Sequence, residues 1–339
     1  MDESRPVRRA ELGIWAYAFG YFAAYAPYSA LTKLASQGTI PGMKRAVDGF
    51  ELLPITTASS LVGMIAFLSV SGWWRHAGRR TILGRSVPFP GPWTGLSGLA
   101  TAAIIATTTL AYTFSGVSIV FMMLLMRGGV LVMAPVVDAV SGRKVRGASW
   151  IALGLSLAAL VVALGNDGRP AITFVAGADV AIYLLGYFIR LRFMSRTAKS
   201  EDRSQSIRYF VEEQMVATPA IFGFLVVLAL VGQGSMMMAV RAGFTNIWSS
   251  GSVAAGIVIG ILSQGTGVFG ALVLLDGREN AFCVPVNRAS SVLAGVLASV
   301  SLAVLGLGKR TATPELLGAA MVLGAIVVLA WPTKKPAAA

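Results

Sequence analysis

The sequence predicts an all-α integral membrane protein of ten transmembrane helices, arranged as two inverted five-helix repeats. Three observations carry that expectation: ten long apolar blocks, an internal repeat at an offset near 166 residues, and basic residues that alternate in abundance from loop to loop. Of the 339 residues, 55% are apolar and 13% charged, and the mean hydropathy is +0.72. A water-soluble domain carries about 25% charged residues. The composition therefore excludes a soluble enzyme and a nucleic-acid-binding module, despite the net charge of +13. In a membrane protein such an excess belongs to loops beside anionic lipid. Cys283 and His76 are the only residues of their kinds. No intrachain disulfide is possible, most histidine-based metal or triad schemes are removed, and no cofactor is expected.

A helix crossing about 30 Å of hydrocarbon needs roughly 20 apolar residues. The blocks fall at 12–33, 55–74, 93–113, 118–141, 148–165, 171–193, 214–232, 252–275, 281–306 and 313–331. No period-two pattern recurs, so a membrane barrel is excluded and the blocks must be helices that satisfy their own backbone groups. With the N-terminus inside, cytoplasmic segments hold nineteen Lys and Arg and the opposite loops six. Both termini are thus expected in the cytoplasm. The first block ends at Lys33 without a small-residue cleavage site, so it reads as a retained helix and not as a signal peptide. The tail Pro332–Ala339 is expected to be disordered, and the charged stretch 195–214 reads as a solvated connector between halves.

The repeat is short but in register. Tyr17-Ala-Phe-Gly20-Tyr21-Phe22 recurs as Tyr183-Leu-Leu-Gly186-Tyr187-Phe188, and the same offset carries Ser29 to Ser195 and Lys33 to Lys199. It also carries Gly142-Arg143-Lys144 to Gly308-Lys309-Arg310, while an offset of 161 pairs Gly116, Phe121 and Arg127 with Gly277, Phe282 and Arg288. The halves are 1–166 and 167–339. An odd number of spans per half makes the second enter from the opposite face, an architecture used by transporters with a midplane site between repeats.

On these residues the chain resembles the drug/metabolite transporter superfamily, including EamA-like permeases and the nucleotide-sugar and triose-phosphate translocators. The stretch Phe121-Met-Met-Leu-Leu-Met-Arg127-Gly128-Gly129, with Gly142-Arg143-Lys144 and Trp150-Ile-Ala-Leu-Gly154, is similar to its fourth helix, basic turn and fifth helix. EamA-type members often carry a Glu in that turn, where this chain reads Gly-Arg-Lys-Val-Arg. The resemblance implies export or exchange of small metabolites. The excess of Arg over Lys, with much Ala and Gly, points to a GC-rich bacterial genome, and the expected location is the bacterial inner membrane.

Several residues are candidates for the site. Arg127 lies about nine residues, roughly 14 Å, into its block, and Arg288 about seven residues, roughly 11 Å, into its own. A cation at that depth costs at least about 2.5–3.5 kcal/mol, so it faces a cavity or a partner. Arg presents a fork suited to carboxylate or phosphate. The alternative is a structural pair with an intramembrane acid, Asp179 or Asp138. Asp179, the deepest acid, reads as a counter-ion or as a proton carrier. Tyr17, Tyr21, Tyr25 and Tyr28 share a stripe about 80° wide. Tyr21 and Tyr25 lie deepest and line a cavity or pack. Asn287, Gln264 and Lys33 complete the candidate set, with Lys33 also able to snorkel to the interface. Gly256 and Gly260 read as close helix packing inside the bundle or across a homodimer. Glu212 and Glu213 are placed at the start of the seventh block.

The expected activity is alternating-access transport of a small organic anion, with no enzymatic step and no nucleic-acid partner. The rivals are export of amino acids or amphipathic drugs, with Met122, Met123 and Met126 lining an apolar pocket; a lipid-processing enzyme; and a non-transporting scaffold.

Overall fold

The computed structural model describes residues 13–114, 117, 119–131, 133, 147–164, 173–198, 203–276, 280–308 and 311–330. The helices are α1 (Ile14–Gln37), α2 (Gly49–Val70), α3 (Pro92–Ala111), α4 (Ile119–Leu131), α5 (Gly147–Leu164), α6 (Phe174–Thr197), α7 (Arg203–Val231), α8 (Gly234–Thr245), α9 (Val253–Leu274), α10 (Asn280–Val304) and α11 (Thr313–Ala330). A short antiparallel hairpin, β1 (Arg79–Ile82) and β2 (Arg85–Pro88), joins α2 to α3. Among the described residues, six helices, α2, α3, α6, α7, α9 and α10, are long and apolar enough to cross a membrane. Of the predicted blocks, α1 has the length, but its four tyrosines lower its hydropathy. The protein is an all-α membrane protein of this kind. Asp138, the basic turn at Gly142-Arg143-Lys144 and the tail lie outside the described residues.

Local chemistry sets the helix starts. The Asp48 carboxylate accepts from Phe50 N–H at 2.8 Å, Pro92 stands in the first turn of α3, and the Thr173 hydroxyl accepts from Ala176 N–H at 3.2 Å. Each meets backbone donors that a helix start leaves open, or removes one. Two boundaries differ from the sequence reading. The charged stretch 195–214 is not a connector, because α7 begins at Arg203 and carries Glu212 and Glu213 well inside it. The short helix α8 lies outside the ten blocks, since its 12 residues are too few to span.

Packing is crossed between the two halves of the chain. α1 lies against α9 and α10, while α6 lies against α3; α2 packs on α9 and α3 on α7; α5 packs on α11. Glycines set the closest crossings. A Cβ on Gly20 would stand 2.7 Å from the Phe269 ring, and one on Gly186 would stand 2.9 Å from Ile104 Cγ1. On Gly98 it would stand 2.6 Å from Val216 Cβ, and on Gly260 it would strike the Thr56 carbonyl and Ser59 Cβ. Gly256 meets Ile55 in the same way. The pair Gly256 and Gly260 therefore packs within the bundle on α2, not across a dimer.

Because the Gly260 obstacle is backbone, Gly260→Val should force α2 and α9 apart and cost about 1–3 kcal/mol. Gly324, whose added Cβ would meet nothing within 4 Å, serves as the control. Thermal unfolding in detergent should show a clearly lower midpoint for Gly260→Val than for Gly324→Val; equal midpoints would contradict the crossing.

Candidate functional site

Arg127 sits on α4 where the helix widens into a π-turn over Leu124–Gly128. Such turns re-aim one side chain and recur at functional sites. Its guanidinium is 2% exposed; it donates from Nη1 to the Tyr183 hydroxyl and from Nη2 to the Tyr25 hydroxyl. It lies 5.1 Å from the Tyr25 ring centroid and 5.2 Å from that of Tyr183. Arg288, on α10, is fully buried, donates from Nη1 to the same Tyr183 hydroxyl at 3.3 Å, and stands 4.4 Å over the Tyr187 ring. One phenol oxygen thus receives hydrogen bonds from two like charges. Arg127 Nε and Arg288 Nε and Nη2 are buried with no hydrogen-bond partner. Neither arginine forms an ion pair among the described residues.

The tyrosines form a continuous cluster. Tyr21 and Tyr25 meet edge to face at 5.3 Å, Tyr25 and Tyr28 at 5.6 Å, and Tyr183 and Tyr187 lie 4.8 Å apart. The Tyr25 hydroxyl is also 2.7 Å from that of Tyr112, which donates to Met123 Sδ at 3.2 Å, and Tyr28 reaches Thr109 at 2.9 Å. Beside this cluster is a cavity of about 70 Å³. That is room for a few waters, given about 10–15 Å³ for each. Tyr21, Tyr25, Tyr28, Arg127, Tyr187, Gln264 and Asn287 line it, with residues of both halves of the chain represented. Gln264 accepts from Ser60 at 2.9 Å and approaches Gln214 at 3.4 Å. Asn287 donates to the Gly270 carbonyl at 2.9 Å and leaves its own Oδ1 unpartnered.

The structure brings Arg127, Tyr21, Tyr25, Gln264 and Asn287 to one cavity, with Arg288 joined to it through Tyr183 and Tyr187. It does not bring Lys33 there. Lys33 Nζ donates to the Phe114 and Val117 carbonyls at 2.8 and 3.1 Å and ties the end of α1 to the α3–α4 connection. Asp179 does not serve as counter-ion to either arginine. It is 4% exposed on α6, and neither carboxyl oxygen has a hydrogen-bond partner. Met122, Met123 and Met126 are packed in the apolar core and do not line the cavity.

Sequence reasoning missed three parts. Tyr183 and Tyr187 were legible only as repeat mates of Tyr17 and Tyr21, although the same repeat relates the two arginines. The third part is an ion pair in the cavity wall. Arg190 on α6 lines the cavity and grips Glu213 on α7 through Nε at 2.9 Å and Nη2 at 2.7 Å. Glu213, fully buried, also accepts from Ser97 at 2.8 Å and Thr101 at 3.1 Å on α3. Both residues stand near the ends of apolar blocks, where a charge reads as interfacial.

No family model matches this chain, and no curated protein matches it. A solved structure, described as "Crystal structure of protein", is similar with a TM-score of 0.50 at 15% sequence identity, covering 92% of this chain and 94% of the other. At that identity the likeness is one of fold alone.

Removing one partner of a buried pair leaves an uncompensated charge and costs about 3–5 kcal/mol, whereas replacing both by apolar groups is often near neutral. Arg190→Met and Glu213→Met should each destabilise by that amount, and the double variant should recover most of the loss in thermal or denaturant unfolding. A double variant no better than the singles would show that the two do not act as a pair.

Proposed function

We propose that the chain is a secondary transporter of the drug/metabolite type that moves a small organic anion by alternating access. It is read as a carrier and not as an enzyme, working in the cytoplasmic membrane of a bacterium with both termini inside. The two halves are read as inverted five-helix repeats that rock about the cavity between them. The crossed packing supports the repeat. Gly20 on Phe269 and Gly186 on Ile104 are contacts between equivalent helices of opposite halves, as are Gly98 on α7 and Gly260 on α2.

The observation that carries the reading is the pair of buried guanidiniums with unpartnered nitrogens and, among the described residues, no carboxylate paired with them. A buried cation that is merely structural normally has an acid partner, as Arg190 has. Here tyrosine hydroxyls and ring faces hold two cations together, and their mutual repulsion is relieved by an arriving anion. The phenol ligands are weak enough to be exchanged for a carboxylate or phosphate, which binds a guanidinium through two parallel charge-assisted bonds. The present cavity has room for about five to seven waters, so seating a larger metabolite on both arginines requires the halves to separate; that separation is the transport motion. The arginines, amides and hydroxyls among the lining residues, with no methionine beside them, favour an anion over an amphipathic drug.

Reconstituted protein should exchange small organic anions across liposomes, and Arg127→Gln and Arg288→Gln should each lower the rate at least about tenfold. Equal amounts of folded protein are compared by size-exclusion profile. Undiminished anion transport by both variants would remove the proposal.

A further inference from the structure

The hairpin between α2 and α3 does not belong to the cavity. Its segment 71–92 holds four arginines and no acidic residue. β1 and β2 pair with Arg79 opposite Pro88, Arg80 opposite Val87, Thr81 opposite Ser86 and Ile82 opposite Arg85. Opposed residues share a face and side chains alternate along each strand. Arg80, Ile82, Arg85 and Val87 therefore stand together on one face, two cations interleaved with two aliphatic groups. None of the hairpin arginines has an acid partner among the described residues.

The turn supplies a second, independent observation. Leu83 and Gly84 are both in the left-handed region, with φ of 50° and 74°. A two-residue turn with both φ positive normally carries Asn, Asp or Gly at its first position. Leucine there bears backbone strain, and its side chain is 99% exposed, so it contributes no packing to the fold. Strain and exposure together mark a side chain kept for what it meets outside the protein.

The surroundings identify the partner. Val70 ends one membrane-crossing helix and Pro92 begins the next, so the hairpin is anchored at both ends to the bilayer surface. Trp73, Trp74 and the half-exposed Trp93 flank it, the residue type that favours the headgroup region. We propose that this hairpin is a binding site for anionic phospholipid, with Leu83 and Ile82 entering the acyl boundary and Arg80 and Arg85 on the headgroup phosphates. The base of the hairpin is fixed for this task. Gly78 N–H and Gly91 N–H donate to the two carboxylate oxygens of Glu212 at 3.0 and 2.9 Å, and Thr94 and Arg208 complete the clamp at 2.6 and 2.7 Å. Glu212 adjoins Glu213 on α7, so lipid engaged at the tip pulls on the helix that closes the cavity wall.

The test uses the full chain in a neutral detergent and reads thermal unfolding as lipid is added. Phosphatidylglycerol should raise the midpoint more than equal phosphatidylcholine. Arg80→Gln with Arg85→Gln should weaken the phosphatidylglycerol response roughly 30-fold in concentration, from about one kcal/mol for each surface cation. Leu83→Ser should weaken it less but in the same direction. These positions are solvent-facing, and the untreated variants should unfold at the wild-type midpoint. Equal responses of wild type to the two lipids would overturn the proposal, and so would a phosphatidylglycerol response undiminished in both variants. A response to added RNA without one to phosphatidylglycerol would also overturn it, assigning the surface to a soluble polyanion. None of these readings depends on transport.

Discussion

Two guanidinium groups buried with no carboxylate partner among the described residues are the constraint around which the bundle is arranged. Desolvating such a cation is expensive, and an ordinary interior answers with an acid. This one answers with phenols. The Tyr25 and Tyr183 hydroxyls accept from Arg127, Tyr183 accepts from Arg288 as well, and the Tyr187 ring offers its face to Arg288. A desolvated cation–π contact is worth about 2 kcal/mol. Hydrogen bonds to a charged group contribute about 1.5–3 kcal/mol each. Together they tolerate the charges without extinguishing them. The requirement reaches outward, because α4, α6 and α10 must converge on the Tyr183 oxygen while α1 brings Tyr25 to the other side of Arg127. The π-turn on α4 aims Arg127, and Gly20 and Gly186 let α1 and α6 come close to α9 and α3.

Arg190 shows what a satisfied cation looks like in the same protein. Its fork meets Glu213 through two parallel bonds, and three hydroxyls, from Ser97, Thr101 and Tyr209, crowd the same carboxylate. Nothing in that arrangement waits for a ligand. The pair binds α3, α6 and α7 into one wall of the cavity. Chemistry, then, divides three deep arginines into two kinds, and the division follows from the partner each has and not from depth.

Much of this was legible in the residues, and the limits have physical causes. Apolar length located the helices because a membrane span is a one-dimensional requirement. Offsets of 161 and 166 residues paired Arg127 with Arg288 and Tyr21 with Tyr187, four residues that lie at or beside the cavity. Depth along a helix did not reveal partners, because hydropathy averages over the direction in which a side chain points. Asp179 looked like a counter-ion by depth alone, yet no arginine reaches it. Lys33 looked like a ligand, but carbonyls in the α3–α4 connection hold it. Arg190 and Glu213 looked interfacial, since α6 and α7 run on beyond the apolar windows that defined them. The amphipathic helix α8 fell below the length at which apolarity alone gives a signal.

The connection after α2 differs from that after α7, the helix that the proposed repeat pairs with it. In the first half it is the basic hairpin; in the second it is α8, whose Arg241 donates to the Ala229 and Leu230 carbonyls at the end of α7 at 2.7 and 2.8 Å. α8 presents Met236 and Met238 outward and packs on α2 and α7. If the halves are inverted, these two insertions stand on opposite faces of the membrane. On the proposed mechanism a two-fold core would rock equally toward either side, whereas unlike surface elements would give the two sides different energies. The hairpin is fastened to Glu212, one residue from the ion pair in the cavity wall, and α8 is fastened to the far end of the same α7. A single helix therefore joins both surfaces to the cavity wall, and the asymmetry lies in what each end of that helix holds.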